Sequence, residues 1–158
     1  RTGRMFTGDR SGDLLMGTLH AFGFASSPVS RSRDDGLELR DAYVTAALRC
    51  APPANRPTRN ELANCQPFLL KELELLSRVR VVVALGRIGF DTYLGTLAAR
   101  GLAPPAPRPQ FGHMAIHDMP DGVKLIASYH PSRQNTQTGR LTTEMFEDVF
   151  RTARRLIS

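Results

Sequence analysis

The chain has no tryptophan, only two cysteines and only two lysines, Lys71 and Lys124. Two thiols, Cys50 and Cys65, exclude a disulfide framework in a chain of 158 residues and suit a reducing compartment. No apolar run approaches the ~20 residues that a membrane-spanning helix needs, so nothing reads as a membrane segment. Internal repeats are absent, and the length fits a single domain over residues 1–158. An initiator methionine is absent as well. The chain opens on Arg-Thr-Gly-Arg with no element ahead of its first motif, and the expectation is that an N-terminal segment is missing.

What the chain has in excess is arginine. Of 21 basic residues all but the two lysines are Arg, against 15 acidic residues, which leaves a net charge of +6. The planar guanidinium fork matches phosphate bidentately, so this balance suits a nucleic-acid partner. A GC-rich genome also favours Arg codons, and charge alone speaks for polyanion affinity rather than for chemistry.

Three short apolar runs read as strands: 42–48 (AYVTAAL), 79–85 (VRVVVAL) and 124–129 (KLIASY). Their continuous apolar character is that of strands covered on both faces. Helical patterns lie between them. Leu14, Leu15, Leu19 and Phe22 share one face of a helix starting near Ser11. Thr58 and Glu61 form a capping-box pattern ahead of Leu62, Leu69, Leu70, Leu73 and Leu76. A further helix spans 88–99 before Gly101, and the last begins near Thr142 with Met145, Val149 and Leu156 on one stripe. Strands alternating with helices predict an α/β fold with a mostly parallel sheet. Function then collects in the loops after the strands, here 49–59, 86–87 and 130–140. The Pro-rich stretch 103–109 reads as a stiff surface connector.

Three segments carry candidate chemistry. The opening RTGRMFTGDRSGD runs straight into a helix, whose N-terminus favours anions. It holds Phe6 and Asp9, which the pattern alone also allows as a core anchor and a turn residue. It is not a phosphate-binding P-loop, because the Gly-Lys-Ser/Thr ending is absent. The second segment, RCAPPANRPTRNELANC, sets Cys50 and Cys65 either side of Asn55. Two thiols are only half of a tetrahedral metal site, and spacing alone favours two unrelated buried cysteines over a ligand pair. An Asn55 amide can present donor and acceptor to a base edge, or simply make a turn beside Pro53 and Pro57. The third, SYHPSRQNTQTGR, aims His130 from a fixed corner at Pro131, and Ser132, Arg133, Gln134, Asn135, Gln137 and Arg140 follow. These are groups that contact phosphate and sugar.

Taken in order, RTGRMFTGDRSGDLL, AYVTAALRCAPPANRPTRNELANC, VVVALGRIGFDTYL and ASYHPSRQNTQTGRLT resemble the type-b, or family 5, uracil-DNA glycosylases of bacteria and archaea. The resemblance covers nearly the whole chain and is poorest at 26–39 and 104–121. It implies a three-layer α/β/α sandwich around a mostly parallel four-stranded sheet. In that family a first strand and a GLAP-type segment precede the motif that opens this chain, so the sheet here is expected to lack one strand. It also implies a four-cysteine 4Fe–4S cluster of structural role, to which Cys50 and Cys65 would contribute two ligands.

Carried over by position, Asp9 resembles the carboxylate that positions the attacking water and stabilises charge on the sugar. Phe6 resembles the aromatic that stacks on the extruded base, Asn55 the active-site amide, and His130 the donor to the leaving base. Residues 132–140 resemble the element that enters the minor groove. Related enzymes place an Asn where Ala46 stands, so the resemblance implies looser base discrimination, extending to deaminated purines such as hypoxanthine. The partner implied is DNA containing deaminated bases, acted on by a cytoplasmic monomer of a high-GC prokaryote that needs neither a membrane nor an obligate protein partner. A non-catalytic DNA-binding module of the same fold is the main alternative. A nucleotide hydrolase and a covalent DNA-trapping relative are weaker ones.

Overall fold

The computed structural model describes residues 4–48 and 56–158. In chain order these form α1 (Arg10–Ala21), α2 (Arg59–Leu75), β1 (Val81–Leu85), α3 (Arg87–Ala99), β2 (Ile116–Asp118), β3 (Lys124–Ser128), α4 (Arg133–Gln137) and α5 (Thr143–Ile157). The chain divides into two compact units: Arg1–Val44 together with Ser128–Ser158, and Thr45–Ala127.

In the first unit α1 packs on α5. Leu15, Met16 and Leu19 of α1 are buried, as are Phe146, Val149, Phe150 and Ala153 of α5. Both stripes follow the 3.6-residue period. Each helix starts at a side-chain cap, Asp9 for α1 and Thr142 for α5, which satisfies a backbone N–H that the helix leaves unpaired. The chain between α1 and residue 41 returns on itself through a single antiparallel bridge, Ala25 to Leu39. Near the end of α5, Arg154 donates from Nε to the Phe22 carbonyl at 2.9 Å and stacks over the Phe24 ring at 3.9 Å.

The second unit holds a three-stranded sheet in the order β1-β3-β2, covered by α3, which contacts β1 and α2. Its core gathers Ala84, Phe90, Tyr93, Leu94, Leu97, Leu125 and Ala127. Thr58 caps α2 through the reciprocal hydrogen bonds expected from its spacing to Glu61.

The α/β class and the helices agree with the sequence expectations, and the sheet differs in two ways. Residues 42–48 form no strand. Three of the seven are Ala, which lacks the branched surface that favours a pleated ladder, and no strand pairs with them among the described residues. Conversely, β2 was not expected, and it pairs antiparallel with β3 through Ile116↔Ile126, His117↔Leu125 and Asp118↔Lys124. The loop expected over 130–140 contains the short helix α4. Among the described residues no helix is long and apolar enough to cross a membrane.

Candidate active site

The first unit alone brings together Phe6, Asp9 and His130. Asp9 is the N-cap of α1. Its extended backbone, φ −142° and ψ 174°, lets Oδ1 accept from the Gly12 N–H at 2.8 Å. The residue is exposed, and among the described residues Oδ2 takes no hydrogen bond. One oxygen is therefore fixed by the helix and the other is available to a ligand or to water.

Phe6 has φ 52°, a left-handed backbone that costs a bulky residue about 1–3 kcal/mol. What holds it there is the contact of its carbonyl with the first turn of α1. A Cβ added at Gly12 would stand 2.1 Å from the Phe6 oxygen, so only glycine permits this approach. The Phe6 ring lies 6.2 Å from the His130 ring, centroid to centroid, at 34°.

His130 is half-buried where the chain leaves β3, with the buried Pro131 behind it. Burial pushes its pKa below the ordinary 6.5, and the negative charge of Asp9 pulls the other way. At neutral pH the imidazole is therefore uncharged, with one N–H to donate. Its backbone is pinned by Asn135, whose Nδ2 donates to the His130 carbonyl at 2.9 Å. Asn135 is held in turn, its N–H donating to Ser132 Oγ at 3.2 Å.

The residues expected to touch DNA thus divide into two groups. Ser132 caps α4 and Asn135 holds His130, both half-buried. Arg133, Gln134, Gln137 and Arg140 are exposed. The Arg140 guanidinium sits 4.6 Å from the centre of the Tyr129 ring, a cation–π contact to the residue that precedes His130 in the chain.

This constellation can do specific chemistry: a carboxylate beside a neutral histidine and an aromatic face, flanked by exposed cations, in a chain with excess arginine. Comparison with known proteins gives it a family. The uracil DNA glycosylase superfamily pattern matches residues 1–154. The chain belongs to this superfamily. It is 47% identical over 157 residues to the type-5 uracil-DNA glycosylase of Mycobacterium bovis, covering 99% of this chain and 57% of that protein. It is 52% identical over 156 residues to the type-5 uracil-DNA glycosylase of Thermus thermophilus, covering 99% and 68%. The type-5 protein of Pyrobaculum aerophilum is 46% identical over 153 residues, covering 97% and 64%. The chain thus spans between about half and two thirds of the length of these relatives.

Four further residues were expected at the site of this superfamily member. Ala46 and Cys65 are half-buried in the second unit. Cys50 and Asn55 fall outside the described residues. Among the described residues no three His, Cys, Asp or Glu side chains are grouped to hold a metal, and Cys65 is a free thiol. Gly12, Arg4, Thr7, Ser30 and Asp35 escaped the sequence reading. Only the Asp9-x-x-Gly12 spacing at the helix start offered a local signal.

Proposed function

We propose that the protein is a monofunctional glycosylase that removes uracil from DNA by hydrolysis. The observation that carries this reading is the meeting of Phe6, Asp9 and His130, in a chain that belongs to the uracil DNA glycosylase superfamily. The target carbon lies inside the duplex, so the nucleotide must first be flipped out at a cost of a few kcal/mol. Phe6 offers the extruded base a stacking face. The C1′–N1 bond then breaks, and its electron pair leaves with the base. The sugar becomes oxocarbenium-like, and the Asp9 carboxylate stabilises that charge. His130 donates its N–H to the anionic base. A water held by the open Asp9 oxygen adds at C1′ and passes its proton to that carboxylate, which returns it by way of solvent to the departed uracil anion, leaving neutral uracil and an abasic site. The exposed Arg133, Gln134, Gln137 and Arg140 hold the flanking backbone.

Two finer points extend the reading. With Ala46 in place of an amide reader, discrimination against other bases is weaker, and hypoxanthine is also released. Cys50 and Cys65 would supply two thiolates to a structural 4Fe–4S cluster.

Base release from a duplex carrying one deoxyuridine tests the proposal, with hypoxanthine and undamaged duplexes beside it. Alkali-labile sites at uracil, lost in Asp9→Asn, are expected. Asn keeps an oxygen for the Gly12 N–H, so this variant removes charge while retaining the cap. Folded protein that binds the duplex and releases nothing would favour the non-catalytic module instead. Iron and sulfide assays on the same preparation, before and after Cys65→Ser, report on the cluster.

A further inference from the structure

Two segments far apart in sequence are stapled together behind Phe6 and Asp9. Arg4 donates from Nη1 to Ser30 Oγ at 3.0 Å and to Asp35 Oδ1 at 2.8 Å, and from Nη2 to the Arg33 carbonyl at 3.1 Å. Thr7 and Ser30 are both buried, and their hydroxyl oxygens lie 2.6 Å apart. Because Thr7 Oγ1 donates to the Met5 carbonyl at 3.3 Å, the proton between the two hydroxyls belongs to Ser30. A directional chain results, running from Arg4 to Ser30 to Thr7 to Met5, in which each bond polarises the next.

Asp35 anchors that chain. Its Oδ2 accepts from the N–H groups of Arg31 at 2.7 Å and Ser32 at 3.3 Å, and Oδ1 accepts from Leu37 at 3.0 Å as well as from Arg4. The Arg31 and Leu37 amides, then Arg4 and Ser32, hold its carboxyl well below the usual carboxylate range against the opposing effect of desolvation. The apolar side of the junction stays open. Arg4, Met5, Met16, Leu37, Leu39 and Val44 line a cavity of about 250 Å³ there. These hydrogen bonds tie the 30–37 loop to the segment carrying Phe6 and Asp9.

We propose that Asp35 is a positioning residue for Phe6 and Asp9, acting through Arg4, Ser30 and Thr7. Its catalytic consequence rests on the glycosylase reading above. Asp35 touches neither base nor sugar. It locks the loop that grips Arg4 and Thr7, and Thr7 sits between the two working residues. A shift of about 1 Å in a catalytic group can cost up to ~100-fold in rate, so even slight slackening of this staple is measurable.

The test compares wild type with Asp35→Asn, Thr7→Val and Thr7→Ser. Single-turnover release of uracil is expected to fall about tenfold in Asp35→Asn and Thr7→Val and to recover in Thr7→Ser, which restores the hydroxyl. Duplex Kd should stay unchanged. Titration of His130 by NMR, without DNA, provides a second readout. A carboxylate displaced from His130 ceases to hold its pKa up, so the midpoint in Asp35→Asn should move down. Losses of rate that merely follow loss of folded protein, or that appear only in Kd, would overturn the proposal. An unmoved His130 midpoint in Asp35→Asn would do so even if the wild type released no base, which separates this failure from failure of the glycosylase reading.

Discussion

At the residue scale, His130 shows how position sets chemistry. Its pKa lies below 6.5 because burial outweighs the nearby Asp9 charge. The unfolded chain therefore binds a proton that the folded chain does not, in the interval between the folded pKa and about 6.5. The stability due to a neutral His130 is complete above 6.5 and is lost as pH falls through that interval. Urea denaturation at a series of pH values should show this slope, and His130→Gln should remove it. Because the Asp9 charge raises the pKa, Asp9→Asn should lower the NMR titration midpoint further. A midpoint that rises in Asp9→Asn would mean that the two groups are not coupled as the geometry requires.

At the element scale, α1 offers an internal comparison between two glycines. Ala is favoured over Gly in a helix interior by about 1 kcal/mol. Gly17 has nothing within 4 Å of the place a Cβ would occupy, so Gly17→Ala should approach that gain. Gly12→Ala should instead lose about 1–3 kcal/mol, because the new Cβ meets backbone atoms of Phe6 that no rotamer change can move. Urea midpoints shifting in opposite directions at constant m would establish that the Phe6 turn is clamped by the helix start. The helices were legible because their signals are local: Thr58 with Glu61 for α2, Thr142 for α5, and apolar residues at helical spacing. β2 was not legible. Its residues Ile116, His117 and Asp118 lack a strand pattern of their own, and pairing with β3 is what makes them a strand. Residues 42–48 misled for the complementary reason, an apolar run with no partner ladder among the described residues.

At the scale of the whole molecule, what stayed hidden from the sequence is long-range. Arg4 and Asp35 are 31 residues apart, and Thr7 and Ser30 are 23 apart. No local pattern announces such pairs, whereas Phe6, Asp9 and His130 were legible because each sits in a distinctive local motif. Net charge was legible too, and it makes a claim that only the assembled surface can satisfy. If the +6 merely reflects composition, the arginines near His130 are interchangeable with the others. If it serves DNA binding, affinity should fall with salt along a log–log slope of about −0.9 for each phosphate neutralised. Arg133, the first residue of α4, and Arg140, just beyond its end, are exposed and are the cations best placed to pay into that slope. Arg133→Ala and Arg140→Ala should each make it shallower by roughly one unit, weakening binding equally on damaged and undamaged duplexes. Arg155→Ala, which removes an equally exposed charge from the last turn of α5, should leave the slope unchanged. Equal slope changes in all three variants would mean that bulk charge, rather than the loop after His130, carries the phosphate contacts.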